Sequence, residues 1–151
     1  MGGGVDILDD MASSIRPIAV ALIRRSSDGA LLVTGHGLNT DDPRVRPLGG
    51  GIEFGESART ALDREIAEEI GGSVARAEHR ATFENIFVVD GVVGHEIVFV
   101  FDAELADASI EDRDHFPVLD APEEIVFWWR PGVDTARLVP PELDEFFVAK
   151  A

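Results

Sequence analysis

The chain has no cysteine and a single lysine, Lys150, among its 151 residues. Without cysteine there are no disulfides, no thiolate metal sites and no cysteine nucleophile. A lone lysine beside the C-terminus argues against a catalytic lysine, so phosphate contacts would fall to arginine, whose planar fork binds such oxygens in bidentate fashion. No apolar run reaches the roughly 18 residues of a membrane span, and the N-terminus lacks the basic-then-apolar layout of a signal peptide. The expectation is a soluble, cytoplasmic chain. No internal repeat or low-complexity block is visible. Positive charge is also short: 13 Lys and Arg against 29 Asp and Glu leave a formal net charge of −16. That balance argues against duplex nucleic acid or an anionic membrane as a partner.

A 151-residue chain that is 45% apolar is long enough for one domain with a proper core. Pro17 to Arg24 and Ala30 to Thr34 read as two strands joined in a hairpin by Ser26-Ser27-Asp28-Gly29. Ala81 to Val89 and His95 to Leu105 read as a second pair across Asp90-Gly91, and Ile125 to Trp129 as a further strand. After Pro140-Pro141, Glu142 to Ala149 reads as a short helix with Leu143, Phe146 and Phe147 on its apolar face. Residues 1–14 begin with a flexible Gly2-Gly3-Gly4 run and are only weakly periodic. They are treated as a mobile or loosely docked extension to a domain at 15–151.

The densest signal lies between Gly49 and Gly72. Leu62, Ile66 and Ile70 recur every four residues, and Gly71-Gly72 then stops the helix they define. Glu65, Glu68 and Glu69 share one arc of that helix, roughly 100° wide and offset from the apolar stripe. Like charges at this spacing cost about 0.2–0.5 kcal/mol per pair, whereas a bound cation would reverse the sign. A solvated acidic face with Arg64 and Glu68 as an ordinary i,i+4 pair is the competing reading. Oxygen ligands without Cys or His suit Mg²⁺, Mn²⁺ or Ca²⁺ rather than zinc. The preceding Gly49-Gly50-Gly51 and Gly55 punctuate a run carrying Glu53 and Glu56, and glycines let backbone approach a ligand closely.

Gly50, five residues, Glu56, seven residues, Arg64-Glu65-Ile66, one residue, Glu68-Glu69, one residue and Gly71 together resemble the Nudix box, the signature of hydrolases of nucleoside diphosphates linked to another moiety. Only the last position departs, with Gly72 where the family usually has an aliphatic residue. The resemblance implies an α/β fold, an α/β/α sandwich around a mixed sheet. It also implies Mg²⁺- or Mn²⁺-dependent cleavage of a diphosphate linkage in a small nucleotide derivative. Glu65, Glu68 and Glu69 would hold the ions, joined by the carbonyl of Gly49. Glu56 would be a ligand or a partner of Arg64, and Arg64 would orient the glutamates.

The general base would come from the box, as Glu65 or Glu68, or from outside it. Glu123 and Glu124, placed in a Pro-containing loop before Ile125, are outside candidates, as is Glu96 at the head of a strand. Arg44 and Arg46, just ahead of the glycines, are candidates for phosphate contacts. The histidines show no ligand spacing and read as structural or surface residues; Trp128, Trp129, Phe83, Phe87, Phe99 and Phe101 read first as interior residues, with base stacking by one of them as the competing role. A homodimer is left open, and no substrate marker stands outside the box. The alternative reading is a Nudix-fold nucleotide sensor, which would bind without turnover.

Overall fold

The computed structural model describes residues 14–36 and 38–146, with His36 described by its backbone alone. Residues 1–13 of the supposed extension, and residues 147–149 of the supposed C-terminal helix, lie outside the described residues. Eight strands form one sheet: β1 (Ile15–Leu22), β2 (Leu31–His36), β3 (Arg44–Gly51), β4 (Val74–Val89), β5 (Val92–Leu105), β6 (His115–Val118), β7 (Ala121–Trp129) and β8 (Arg137–Leu138). Among the described residues one α-helix, α1 (Ala58–Ile70), lies between β3 and β4. The order across the sheet is β4-β5-β1-β3-β2-β7-β6, with β8 pairing β3. The sheet is mixed, since β1 runs parallel to β5 and antiparallel to β3.

β1 and β2 are joined as predicted only at their near ends, where Arg24 bridges Leu31 and Leu32 N–H donates to the Ile23 carbonyl. Beyond that point they separate, and β3 enters between them. Its half from Leu48 to Gly51 pairs with β1, and its half from Arg44 to Pro47 pairs with β2. A simple hairpin is therefore replaced by a fork with β3 in its opening. β4 and β5 do form the predicted hairpin, with Val89 opposite Val92 and positive φ at both Asp90 and Gly91, the condition of a two-residue primed turn.

Each of these strands is longer than expected. β4 begins at Val74, its polar start being half exposed on an edge strand, where the apolar alternation that announces a strand is weak. β7 begins at Ala121 and absorbs Glu123 and Glu124 into the sheet. The tail from Pro141 to Phe146 is a 3₁₀ turn rather than an α-helix.

Two apolar layers sandwich the sheet. Leu62 and Ile66 of α1 pack with Ala19, Ala21, Leu48 and Trp128 on one face. Ile18, Val20, Val45, Leu138 and Leu143 fill the other, closed by the 3₁₀ turn. Leu62, Ile66 and Leu143 are each fully buried, and each such side chain contributes about 1.5–3 kcal/mol. Trp128 and Trp129 fall one in each layer, at 6% exposure, with their indole N–H groups donating to the carbonyls of Arg113 and Ala136. The alternation that should have left one of them outside fails because both faces are covered. Neither is available for stacking. No helix among the described residues is long and apolar enough to cross a membrane.

Candidate active site

α1 starts where Ser57 Oγ accepts from the Thr60 N–H, and it stops at Gly71, which has φ of 68° and donates its N–H to the Ala67 carbonyl. Its buried residues Leu62 and Ile66 hold it on the sheet, and this fixes the azimuth of its glutamates. Two glycines of β3 then permit close approach, Gly49 to the backbone of β1 and Gly50 to a helix carboxylate. Gly49 has φ of 140°, and a Cβ there would lie 2.0 Å from the Ala19 carbonyl oxygen. A Cβ on Gly50 would lie 2.5 Å from the carboxyl carbon of Glu65. Backbone without a side chain at Gly50 lets the Glu65 carboxylate come this close to the strand, and at Gly49 it lets β3 lie close against β1.

Arg64 ties the loop to the helix. Its guanidinium donates to both oxygens of Glu56 at 2.8 and 2.9 Å, to Glu65 Oε1 at 2.9 Å and to the Gly51 carbonyl at 2.9 Å. Glu68 stands further off, at 3.4 Å, and more exposed. Glu56 Oε1 also accepts from the Glu53 N–H. Held first by Arg64, the Glu56 carboxyl drops to a pKa of about 2, and Arg64 itself is raised above its usual value. Of the two roles anticipated for Glu56, the structure displays partnership with Arg64.

Glu69 Oε1 accepts the Gly49 N–H at 2.9 Å. Burial pushes the Glu69 carboxyl up to about 8, with the nearby charges of Glu65 and Asp120 adding to the rise while the Gly49 bond and Arg46 oppose it. Glu65 is raised as well, again chiefly by burial. These two carboxyls are partly desolvated and repel each other, so both gain from a cation. Among the described residues no three acidic or histidine side chains already converge on one point. The donors nonetheless fit a hard cation: they are oxygens only, on one helix face, with the strand opposite stripped of side chains.

A cleft of about 600 Å³ opens beside them. Its lining includes Gly49, Gly50, Gly51, Glu65 and Glu69, together with Arg44, Arg46, Glu96 and Glu124. Those predicted residues are brought together. Glu56, Arg64, Glu68 and Glu123 are not among its lining residues, although Arg64 bonds to Glu65 and to the Gly51 carbonyl, which are.

Several residues lining the cleft carried no signal of their own in the sequence. Arg16 reaches Gly51, where a Cβ would stand 3.3 Å from its Nη2. Arg137 enters from β8, and Asn85 from β4. Asp120, outside the lining, acts on Glu65 and Glu69 through its charge, from a turn anchored where Leu119 N–H donates to the Glu69 carbonyl. The buried Nε of Arg44 has no partner among the described residues. His79, bonded to Thr82, and His95, bonded to Glu84, are engaged away from the cleft.

A mixed sheet with one acidic helix set against a glycine-ended strand defines a MutT-like hydrolase fold, and solved structures agree. The chain is similar to a MutT NUDIX hydrolase from Burkholderia pseudomallei, at 19% identity over 91% of this chain and 100% of that one, with a TM-score of 0.66. It is similar also to a MutT protein from Bacillus halodurans, at 18% identity over 87% and 80%, with a TM-score of 0.58, and to a MutT protein from Methanosarcina mazei, at 20% identity over 88% and 90%, with a TM-score of 0.56. The model of the NUDIX domain matches residues 15–147, and the chain belongs to that family. No curated protein matches the chain. Membership supports hydrolase activity of the pyrophosphohydrolase kind in general terms.

Proposed function

We propose that this protein is a Mg²⁺- or Mn²⁺-dependent pyrophosphohydrolase that cleaves a diphosphate linkage in a small nucleotide derivative. The observation that carries the reading is the meeting of Glu65 and Glu69 with Gly49 and Gly50 at the end of a cleft that also holds Arg16, Arg44, Arg46 and Arg137. Glu65, Glu68 and Glu69, with the Gly49 carbonyl, would hold the cation. When bound, it neutralises diphosphate charge and acidifies water.

The protein's own groups supply the remainder. Arg64 fixes Glu65 through Oε1, leaving Oε2 to accept the proton of the attacking water, a role suited to a carboxyl whose pKa burial has raised. Arg44, Arg46, Arg16 and Arg137, all of which line the cleft, contact the phosphate oxygens. The net charge of −16 does not preclude such a substrate, because these arginines and the cation concentrate positive charge in the cleft. Glu124 adds a carboxylate to its lining, while Glu96 lies beyond β1 from the glycines in the sheet order.

The test is a nucleotide panel with Mg²⁺ or Mn²⁺ and product analysis. Turnover that disappears with chelator, and falls by orders of magnitude in Glu69→Gln and Glu68→Gln with the fold intact, is expected. Saturable binding without turnover of any nucleotide would replace this reading with the sensor.

A further inference from the structure

An apolar patch on the sheet lies outside both core layers. Of the eight large apolar side chains exposed among the described residues, five gather at one end of the sheet. Ile15 pairs with His95, His95 with Ile86, and Val93 with Val88, so four aliphatics fall in two adjacent rows across β1, β5 and β4. Ile15 is 58% exposed, Ile86 64%, Val88 66% and Val93 55%. Alternation turns these rows away from Asn85, Glu96 and Arg16, which line the cleft, and towards the side on which α1 packs. Val88 also reaches the rim of the cleft. The fifth residue, the exposed Phe54, stands in the loop that leaves this same end, where Ile52 N–H donates to the Pro17 carbonyl. Contiguous apolar surface rimmed by polar groups, here the His95–Glu84 pair, marks a docking face.

β1 begins at the patch, so residues 1–13 join the described chain at its edge. Val5 to Ala12 hold five apolar residues and three aspartates. Eight residues give only a faint repeat, yet on a helix they sort completely by face. The apolar five fall within roughly 160°, and Asp6, Asp9 and Asp10 within roughly 100° on the opposite side. Such a helix is about 12 Å long. The patch matches it, with about 10 Å from β1 to β4 and about 7 Å along the strands.

We propose that residues 5–12 form a short amphipathic helix that docks on this patch within the same chain, its aspartates turned to solvent and Ser13-Ser14 making the turn into β1. A helix this short is unstable alone in water, so it forms only where its apolar face is covered. A second copy of the chain is the other occupant such a face admits. Two chains of formal net charge −16 repel each other, whereas a segment tethered at Ile15 is present at an effective concentration on the order of millimolar. The inference uses none of the residues assigned to the reaction and stands apart from the hydrolase reading.

The absence of cysteine allows a test on the full chain. A nitroxide attached at Asp9→Cys, on the solvent face of the helix, should broaden the amide resonances of Ile86, Val88 and Val93. The effect should be several-fold larger there than at Phe116 and Val118 of β6, the far edge of the sheet. Leu8→Asp in the same tagged chain sets a charge into the apolar arc and should bring the hairpin down to the level of β6.

Broadening that is even over the two edges, or that survives Leu8→Asp, would overturn the proposal. So would equal broadening of untagged, isotope-labelled chains mixed with tagged, unlabelled ones, because the contact would then be made by a second copy.

Discussion

Glu69 should make the metal-free protein less stable as pH rises, and replacing it with glutamine should abolish that loss. Burial raises its carboxyl from the usual 4.5 to about 8. A folded-state pKa above the unfolded value means that the native state binds the proton more tightly. The stabilisation is therefore complete below about pH 4.5 and is lost progressively up to about pH 8. At about 1.36 kcal/mol per pH unit the ceiling is near ~5 kcal/mol. The carboxyl keeps an opening to the cleft, so solvent screening reduces the expected effect to roughly 2–3 kcal/mol.

Glutamine mimics the protonated acid and can still accept the Gly49 N–H. Urea denaturation in chelator should give Glu69→Gln and the parent equal stability at pH 4.5, with the variant ahead by that amount at pH 8.5. Added Mg²⁺ should then stabilise the parent far more than the variant. A stability difference that stays flat from pH 4.5 to 8.5, or that favours the parent at high pH, would refute the assignment of a desolvated carboxyl at this position.

Gly50→Ala places a methyl 2.5 Å from the Glu65 carboxyl carbon, so turnover should fall at least ~10-fold while KM changes little, as expected when the loss is confined to the reacting state; steady-state kinetics decide. Arg64→Lys removes a fork that holds both oxygens of Glu56, and about 1–3 kcal/mol of urea stability should go with it, along with much of kcat. Trp128→Phe deletes the bond to the Arg113 carbonyl and should lower stability by about 1 kcal/mol while leaving nucleotide KM unmoved. A raised KM there would return that tryptophan to the list of base contacts.

What could be read directly from the sequence was local. The helix from Ala58 to Ile70 announced itself through the Leu62/Ile66/Ile70 repeat and the glycine stop, and the Asp90-Gly91 turn through its own chemistry. The carboxylates at 65 and 69 followed from helical spacing. The rest of the cleft depended on which strands lie side by side. Nothing near Arg16 or Asn85 in sequence says that β1 sits between β5 and β3, yet that order alone brings them to the glycines and to Glu96.

The same cause separates Glu123 from Glu124. Once β7 extends through both, alternation turns neighbours to opposite sides, and only Glu124 meets the cleft. Had the pair lain in a loop, as expected, both would have remained candidates. The interior role expected for the tryptophans extends to both of them, since alternation leaves a residue outside only when one face is bare.

The fork that admits β3 also sets a scale. Arg44 and Arg46 stand at one end of this strand and Gly49 and Gly50 at the other, so the arginines proposed to contact phosphate and the proposed glutamate cradle are graduations on a single stiff ruler with about 3.3 Å per residue. The distance from Arg46 to Gly50 is then roughly 13 Å, fixed by covalent extension rather than by loop packing. Because each end is also registered to a different neighbour, one inserted residue would mislocate both at once. On the proposed function, a substrate's reach along its phosphates would thus be measured by strand length, a dimension that loop variation leaves untouched.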